Sequence, residues 1–174
     1  MIYVNEIIAK SEAIVLRPTE PKDLEFVCTA EQAEVNRDFV SQQTLEQHTG
    51  MLANKDMFHL IVESASRPVG YVLMSGLTSP NRCIEVKRIV ITEKGQGFGR
   101  EALKLCKVIA FDMKNAHRLW LDVVEHNQRA RNLYLSEGFI EEGILRECDF
   151  YQGMFQSMVI MSVLENEYRA SVDA

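Results

Sequence analysis

Residues 83–113 constrain this chain more than any other stretch. A strand ending in the apolar run Ile89-Val90-Ile91 passes through Lys94-Gly95-Gln96-Gly97-Phe98-Gly99-Arg100 into a helix. A strand that is apolar at successive positions is covered on both sides, so it lies inside a layered sheet. The helix carries Phe98, Ala102, Cys106, Ile109 and Met113 at spacings of three and four, one apolar stripe for that sheet. Strand, glycine turn and packed helix together ask for an α/β architecture.

The rest of the chain agrees. Short apolar runs predict strands over residues 13–17, 58–63, 69–76, 83–91 and 119–124. The pattern of 83–91 puts Ile84, Val86 and Arg88 on one face. Thr19-Glu20-Pro21-Lys22-Asp23 reads as a helix start, with an early proline and acidic first turn, for a helix over 21–32. A second helix is expected after Ser41, ending near Asn54. A later one is capped by Asn127 and ends at Gly138, where glycine takes the left-handed backbone of a helix terminus. Two long strands, 140–151 and 154–164, meet at Gln152-Gly153, and the tail from Glu165 is a short surface helix or a frayed end. With no repeat or low-complexity linker, residues 1–174 read as one domain, a mixed α/β sheet with helices on both faces.

Composition narrows the function. With 174 residues, 47% of them hydrophobic, the chain can bury a core without disulfides or metal. Cys28, Cys83, Cys106 and Cys148 are scattered with no Cys-x-x-Cys pair, against a zinc site and in favour of a reducing compartment. The first ten residues lack the signature of a signal peptide, and no apolar run approaches the roughly 20 residues of a membrane span. A net charge of −6 argues against nucleic acid and suits a cationic substrate. The expectation is a cytoplasmic protein with no nucleic-acid or membrane partner and no metal.

The glycine turn is suited to an anion. Glycines let successive backbone N–H groups converge without a Cβ, the helix dipole adds positive charge, and Lys94 and Arg100 can reach phosphate oxygens. A diphosphate is the natural ligand. Gly-Lys-Ser/Thr is missing and the glycine spacing is not Gly-x-Gly-x-x-Gly, which counts against ATP, GTP and nicotinamide cofactors. The competing reading is a tight turn whose glycines serve geometry alone. Lys94-x-x-Gly97-x-Gly99 resembles the coenzyme A pyrophosphate loop of the GCN5-related N-acetyltransferases (the GNAT family), with lysine where arginine or glutamine is usual.

A second stretch, Asn127-Gln128-Arg129-Ala130-Arg131-Asn132-Leu133-Tyr134-Leu135-Ser136-Glu137-Gly138-Phe139, is similar to that family's other signature. Asn127 and Tyr134 are seven apart, nearly two helical turns, and so share a face. Taken alone, Asn127 reads as a plain helix cap and Tyr134 as a core aromatic. The resemblance implies a mostly antiparallel twisted sheet (the acyl-CoA N-acyltransferase fold) and acetyl-CoA as co-substrate. It places the pantetheine arm and the thioester oxygen along Ile89, Val90 and Ile91, and the cofactor's other contacts on Lys94, Gly95, Gln96, Gly97, Phe98, Gly99, Arg100, Asn127, Arg131 and Tyr134. The pattern is closest to the branch that acetylates ribosomal-protein N-termini, polyamines and other small amines.

An alkyl amine has a pKa near 10.4 and arrives protonated, so a base must take its proton, directly or through water. Glu85 is the first candidate and Asp122 the second, both at positions where relatives carry acidic residues. The plainer reading of Glu85 is a strand residue paired with Lys87 or Arg88. Glu125 and His126 lie near the site in sequence, and a histidine before a helix cap is more often a surface residue. Tyr134 donates a hydrogen bond to the departing thiolate, and also its proton if the site allows. No cysteine falls in either motif, so transfer is direct, within a ternary complex. The acceptor is a small amine, polyamine, amino acid or protein N-terminus, and the long C-terminal hairpin can supply a homodimer interface. Two rivals remain: a non-catalytic coenzyme A-binding regulatory module, and a generic α/β interaction protein that binds no cofactor.

Overall fold

The computed structural model describes residues 6–173. In chain order it contains β1 (Ala9–Lys10), β2 (Val15–Pro18), α1 (Leu24–Gln32), α2 (Leu45–Leu52), β3 (Met57–Ser64), β4 (Arg67–Ser75) and β5 (Cys83–Ile91). There follow α3 (Phe98–Lys107), β6 (Arg118–Val124), α4 (Gln128–Ser136), β7 (Ile140–Tyr151), β8 (Met154–Leu164) and α5 (Glu165–Val172). The strands form one sheet in the order β1-β2-β3-β4-β5-β6-β8-β7. Every pairing is antiparallel except β5 with β6. The expected mixed, mostly antiparallel sheet is therefore present.

Two apolar clusters lie on opposite faces of it. One joins Val72, Ile84, Val86 and Leu121 to Leu103 and Cys106 of α3 and to Tyr168 of α5. The other joins Ile61, Tyr71, Leu73 and Val90 to Val27 and Ala30 of α1, with Met51 of α2 against it. Helices thus cover both faces, as the alternating elements predict.

Local sequence explains the boundaries. Pro21 opens a 3-10 turn over Pro21–Asp23 that runs into α1. Thr44 caps α2 reciprocally with Gln47. Gln152 and Gly153 both have positive φ, the two-residue turn that matches strand twist. The tail is a docked helix rather than a frayed end: Tyr168 stacks on Phe111 at 4.8 Å and its hydroxyl donates to Asp112 at 2.8 Å.

Three sequence expectations change. The first strand is Val15–Pro18, two residues later than its apolar run, and the two-residue β1 before it is too short to leave a signal. Arg88 does not share a face with Ile84 and Val86: the β4–β5 register slips between Leu73 and Met74, Lys87 is the extra residue, and a one-residue bulge flips everything after it. Met113 leaves the apolar stripe and is exposed, because the helix widens to a π turn over Val108–Met113 and turns Phe111 inward instead.

The displaced Arg88 meets a buried polar network beneath α1 and α2. Glu31, fully buried, accepts from Arg88 Nη1, from the Tyr71 hydroxyl, from His48 Nε2 at 3.1 Å and from the Gln43 N–H at 2.8 Å. His48 Nδ1 meets His59 Nε2 at 3.1 Å, and His59 Nδ1 meets Thr19 Oγ1 at 2.8 Å. A carboxylate only accepts, so the consistent chain runs from the Thr19 hydroxyl through His59 and His48 to Glu31.

Burial holds His59 down to about 4. His48 and Arg88 act in the same sense, against the opposite pull of Glu31 and Asp23. An unfolded histidine titrates near 6.5, so between the two values the unfolded chain binds more protons. Stability is complete above about pH 6.5 and declines as the pH falls towards 4, by on the order of 3 kcal/mol from this one group. Urea unfolding from pH 7 to 4.5 should follow that slope, and His59→Leu should flatten it. A wild-type curve level across the window would contradict the assignment.

Candidate active site

The site begins where β5 and β6 part. They pair only at Cys83–Arg118, Ile84–Leu119 and Glu85–Trp120, while β4 stays beside β5 as far as Ile91. Gly70 on β4 explains the lean: a Cβ there would lie 2.2 Å from the Val90 carbonyl oxygen, so only glycine lets β5 press this close. With the bulge at Lys87, this turns β5 from β6 and opens a wedge.

Backbone parity tells which groups face the wedge. The Thr92 N–H donates to Val69 O at 2.9 Å, towards β4, so Val90 points the same way and Ile89 and Ile91 point into the gap. In agreement, the Ile91 carbonyl accepts not from β4 but from Asn36 Nδ2 at 3.2 Å.

Side chains reach this gap from both faces. On β6, Leu119, Leu121 and Val123 join the α3-side core, so Trp120 and Asp122 project to the other face, as Glu85 does on β5. Glu85 accepts from Ser75 Oγ at 2.9 Å and from Lys87 Nζ at 3.3 Å. Burial pushes the Asp122 carboxyl above its ordinary value, and the charge of Glu85 adds to that, partly offset by Lys87. Tyr134 approaches from the α3 side, packed on the core with its ring 6.1 Å from Phe139. Burial raises its hydroxyl to about 12, helped by Cys106 and Asp122, and that hydroxyl makes no hydrogen bond among the described residues. Buried Cys106 is itself pushed up to about 12, which leaves it a poor nucleophile.

The glycine turn has the geometry of an anion cradle. Gly95 and Gly97 have φ of 82° and 81°, and no atom lies within 4 Å of where their Cβ would sit. The ladder of α3 starts with the Glu101 N–H bonding Gly97 O, so the N–H groups of Phe98, Gly99 and Arg100 precede it and point outward. Partial desolvation and the nearby charge of Arg129 lower Lys94, so two cations converge beside the cradle. Sequence reasoning passed over Arg129, whose position in the motif is unrestricted; only the folded proximity to Lys94 marks it.

Other expected cofactor contacts are occupied. Arg100 Nη1 donates to Ser136 Oγ at 3.0 Å and pairs with Glu137. Arg131 pairs with Glu141 at 2.8 Å and donates to the Glu125 carbonyl at 2.9 Å. Asn127 Oδ1 accepts from the Ala130 N–H at 3.2 Å, a helix cap.

On the face that carries Glu85 and Asp122, residues 33–44 reach across to the C-terminal end of β6 and the hairpin tip. Phe39 meets the His126 ring at 5.8 Å, and the Tyr151 hydroxyl donates to Val40 O at 3.1 Å. Between them lies an open cavity of about 640 Å³ lined by Asp38, Phe39, Glu125, His126, Glu147 and Tyr151, among others. Among the described residues, no group of three or more His, Cys, Asp or Glu could hold a metal, and no helix is long and apolar enough to cross a membrane.

Residues 13–140 match the family model described as an acetyltransferase (GNAT) domain. The chain belongs to the GNAT acetyltransferases. It is an acetyl-CoA-dependent N-acetyltransferase, as both motifs imply. It is similar to the spermidine N(1)-acetyltransferase of Vibrio cholerae serotype O1, 27% identical over 167 residues that span 89% of this chain and 95% of that one. The enzyme of the same name from Escherichia coli K12 is 25% identical over 92% of this chain and 90% of its own. A crystal structure of the Vibrio cholerae spermidine N-acetyltransferase in complex with CoA and spermine superposes with a TM-score of 0.81. It is 25% identical, and the match covers 91% of this chain and 99% of that one.

Proposed function

We propose that the enzyme acetylates a polyamine or a similar small cationic amine, with acetyl-CoA and the amine meeting at the wedge from opposite faces. The acidity of the acceptor face carries this reading: Glu85 and Asp122 inside, and Asp38, Glu125 and Glu147 around the open cavity, with Phe39 and Tyr151 as aromatic walls. A chain of ammonium groups is attracted by such carboxylates and rings, whereas a neutral amine gains only from the reacting end. Coenzyme A is held by the amides of Gly95 to Arg100, with Lys94 and Arg129 against phosphate oxygens. The side chains of Arg100, Arg131 and Asn127 serve the fold in this scheme.

Asp122, its carboxyl raised, takes the ammonium proton through water, with Glu85 beside it. The Ile89 N–H polarises the thioester oxygen, which gains charge as the amine attacks. The carbon–sulfur bond then breaks and the thiolate departs towards Tyr134, whose hydroxyl donates to it.

The whole chain acts as one catalytic domain in a reducing cytoplasm, in keeping with its four unpaired cysteines. It assembles as a homodimer or larger ring along β7, an edge strand exposing Ile140, Ile144, Leu145 and Phe150. A solved Vibrio cholerae relative is dodecameric.

An amine panel with thiol release as the readout tests the acceptor. Spermidine and spermine should exceed butylamine at least tenfold in kcat/KM. Equal use of butylamine, or preference for a peptide N-terminus, would refute the polyamine reading.

A further inference from the structure

Residues 33–44 link α1 to α2; Val40 packs on the apolar cluster beneath α1, while Val35 and Phe39 are 48% and 41% exposed. Polar ties add to this: the Tyr151 hydroxyl and Gln152 Nε2 donate to loop carbonyls from the hairpin tip, and a second set of ties ends on β5 at either side of Ile89. Asn36, 2% exposed, donates from Nδ2 to Ala30 O at 2.9 Å and to Ile91 O at 3.2 Å. Arg88 Nη2 donates to Ser41 Oγ at 2.9 Å while Nη1 donates to Glu31, whose other oxygen accepts the Gln43 N–H at 2.8 Å. The first half of the connection is thus bound to Ile91, the second to Arg88.

We propose that Asn36, Arg88 and Glu31 form a clamp that registers the acceptor-side loop against β5, and so act as positioning residues for the amine. The inference rests on reading that face as the acceptor side. One strand then sets both partners: its gap-facing N–H groups take the thioester, and its residues 88 and 91 fix the loop that carries Asp38 and Phe39. A buried carboxylate holds such a frame well, because Arg88, Tyr71, His48 and the Gln43 amide fill its lone pairs and leave it no alternative partner. Misplacing a bound reactant by about 1 Å can cost roughly a hundredfold in rate, so a clamp of this kind affects the reaction without touching the reacting atoms.

Steady-state kinetics and amide hydrogen exchange test it together, on Arg88→Gln, Arg88→Lys and Ser41→Ala. Arg88→Gln should raise the spermidine KM about tenfold, leave the acetyl-CoA KM within about twofold, and speed exchange across residues 33–44. Arg88→Lys keeps the charge on Glu31 but loses the second arm, and should recover part of the spermidine KM. Ser41→Ala removes one exposed hydroxyl, keeps the core intact, and should move KM and exchange in the same direction by less. An unchanged spermidine KM in Arg88→Gln and Ser41→Ala, or an equal rise in the acetyl-CoA KM, overturns the clamp. Should Arg88→Gln not fold, Ser41→Ala decides alone. Wild type inert towards every amine refutes the polyamine reading instead. Exchange in Ser41→Ala then judges the clamp: faster across 33–44 supports it, unchanged overturns it.

Discussion

Tyr134→Phe is expected to lower kcat about 10- to 100-fold while leaving acetyl-CoA affinity within about threefold, measured by single-turnover kinetics and calorimetry. The size follows from the state of the hydroxyl. Burial raises it to about 12, whereas an ordinary thiol sits near 8.5, so full proton transfer to the thiolate is uphill by roughly 5 kcal/mol. A hydrogen bond to the developing charge needs no such transfer, and bonds to charged groups contribute about 1.5–3 kcal/mol. In the proposed arrangement cofactor grip comes from the glycine turn, on another element, and the missing hydroxyl scarcely touches it. A loss well beyond about 100-fold would instead mark Tyr134 as a true proton donor, since general acids contribute roughly 100- to 10,000-fold.

The second large effect lies across the wedge. Asp122→Asn should reduce kcat/KM for the amine about 100-fold or more at neutral pH, because the proposed proton acceptor is gone. Glu85→Gln should act differently. Its charge is one of the influences holding Asp122 above the ordinary carboxylate value, second to burial. Neutralising it lowers Asp122, so the acid limb of the pH–rate profile moves to lower pH. A limb displaced upward would show that Glu85 is not the neighbour acting on the base. A profile that loses its acid limb altogether in Glu85→Gln would exchange the roles of the two carboxylates.

The sequence displays what is local. Strands β5, β7 and β8 begin and end where their patterns predict, since turn residues such as Gln152-Gly153 bound them. Both coenzyme motifs lie on contiguous runs, and the backbone of their loop is set by two glycines at positive φ. The acceptor side was far less legible. Arg88 and Glu31 are 57 positions apart, and a bulge that no pattern signals puts the arginine on the face of α1. Asn36 and Ile91, 55 apart, meet only because the wedge leaves that carbonyl free. Arg100 and Arg131 also have partners that lie far from them in sequence. The sequence offers them as cofactor contacts, and folding pairs them with Glu137 and Glu141.

Since β5 and β6 separate after three paired positions, the sheet is split between them, and the split is reached from either face. In the proposed arrangement each reactant then has its own doorway, the nucleotide beside α3 and the amine beneath residues 33–44. Neither has to wait for the other to be seated, and neither product blocks its companion's exit. A sheet split in this way favours random loading and release over a compulsory sequence.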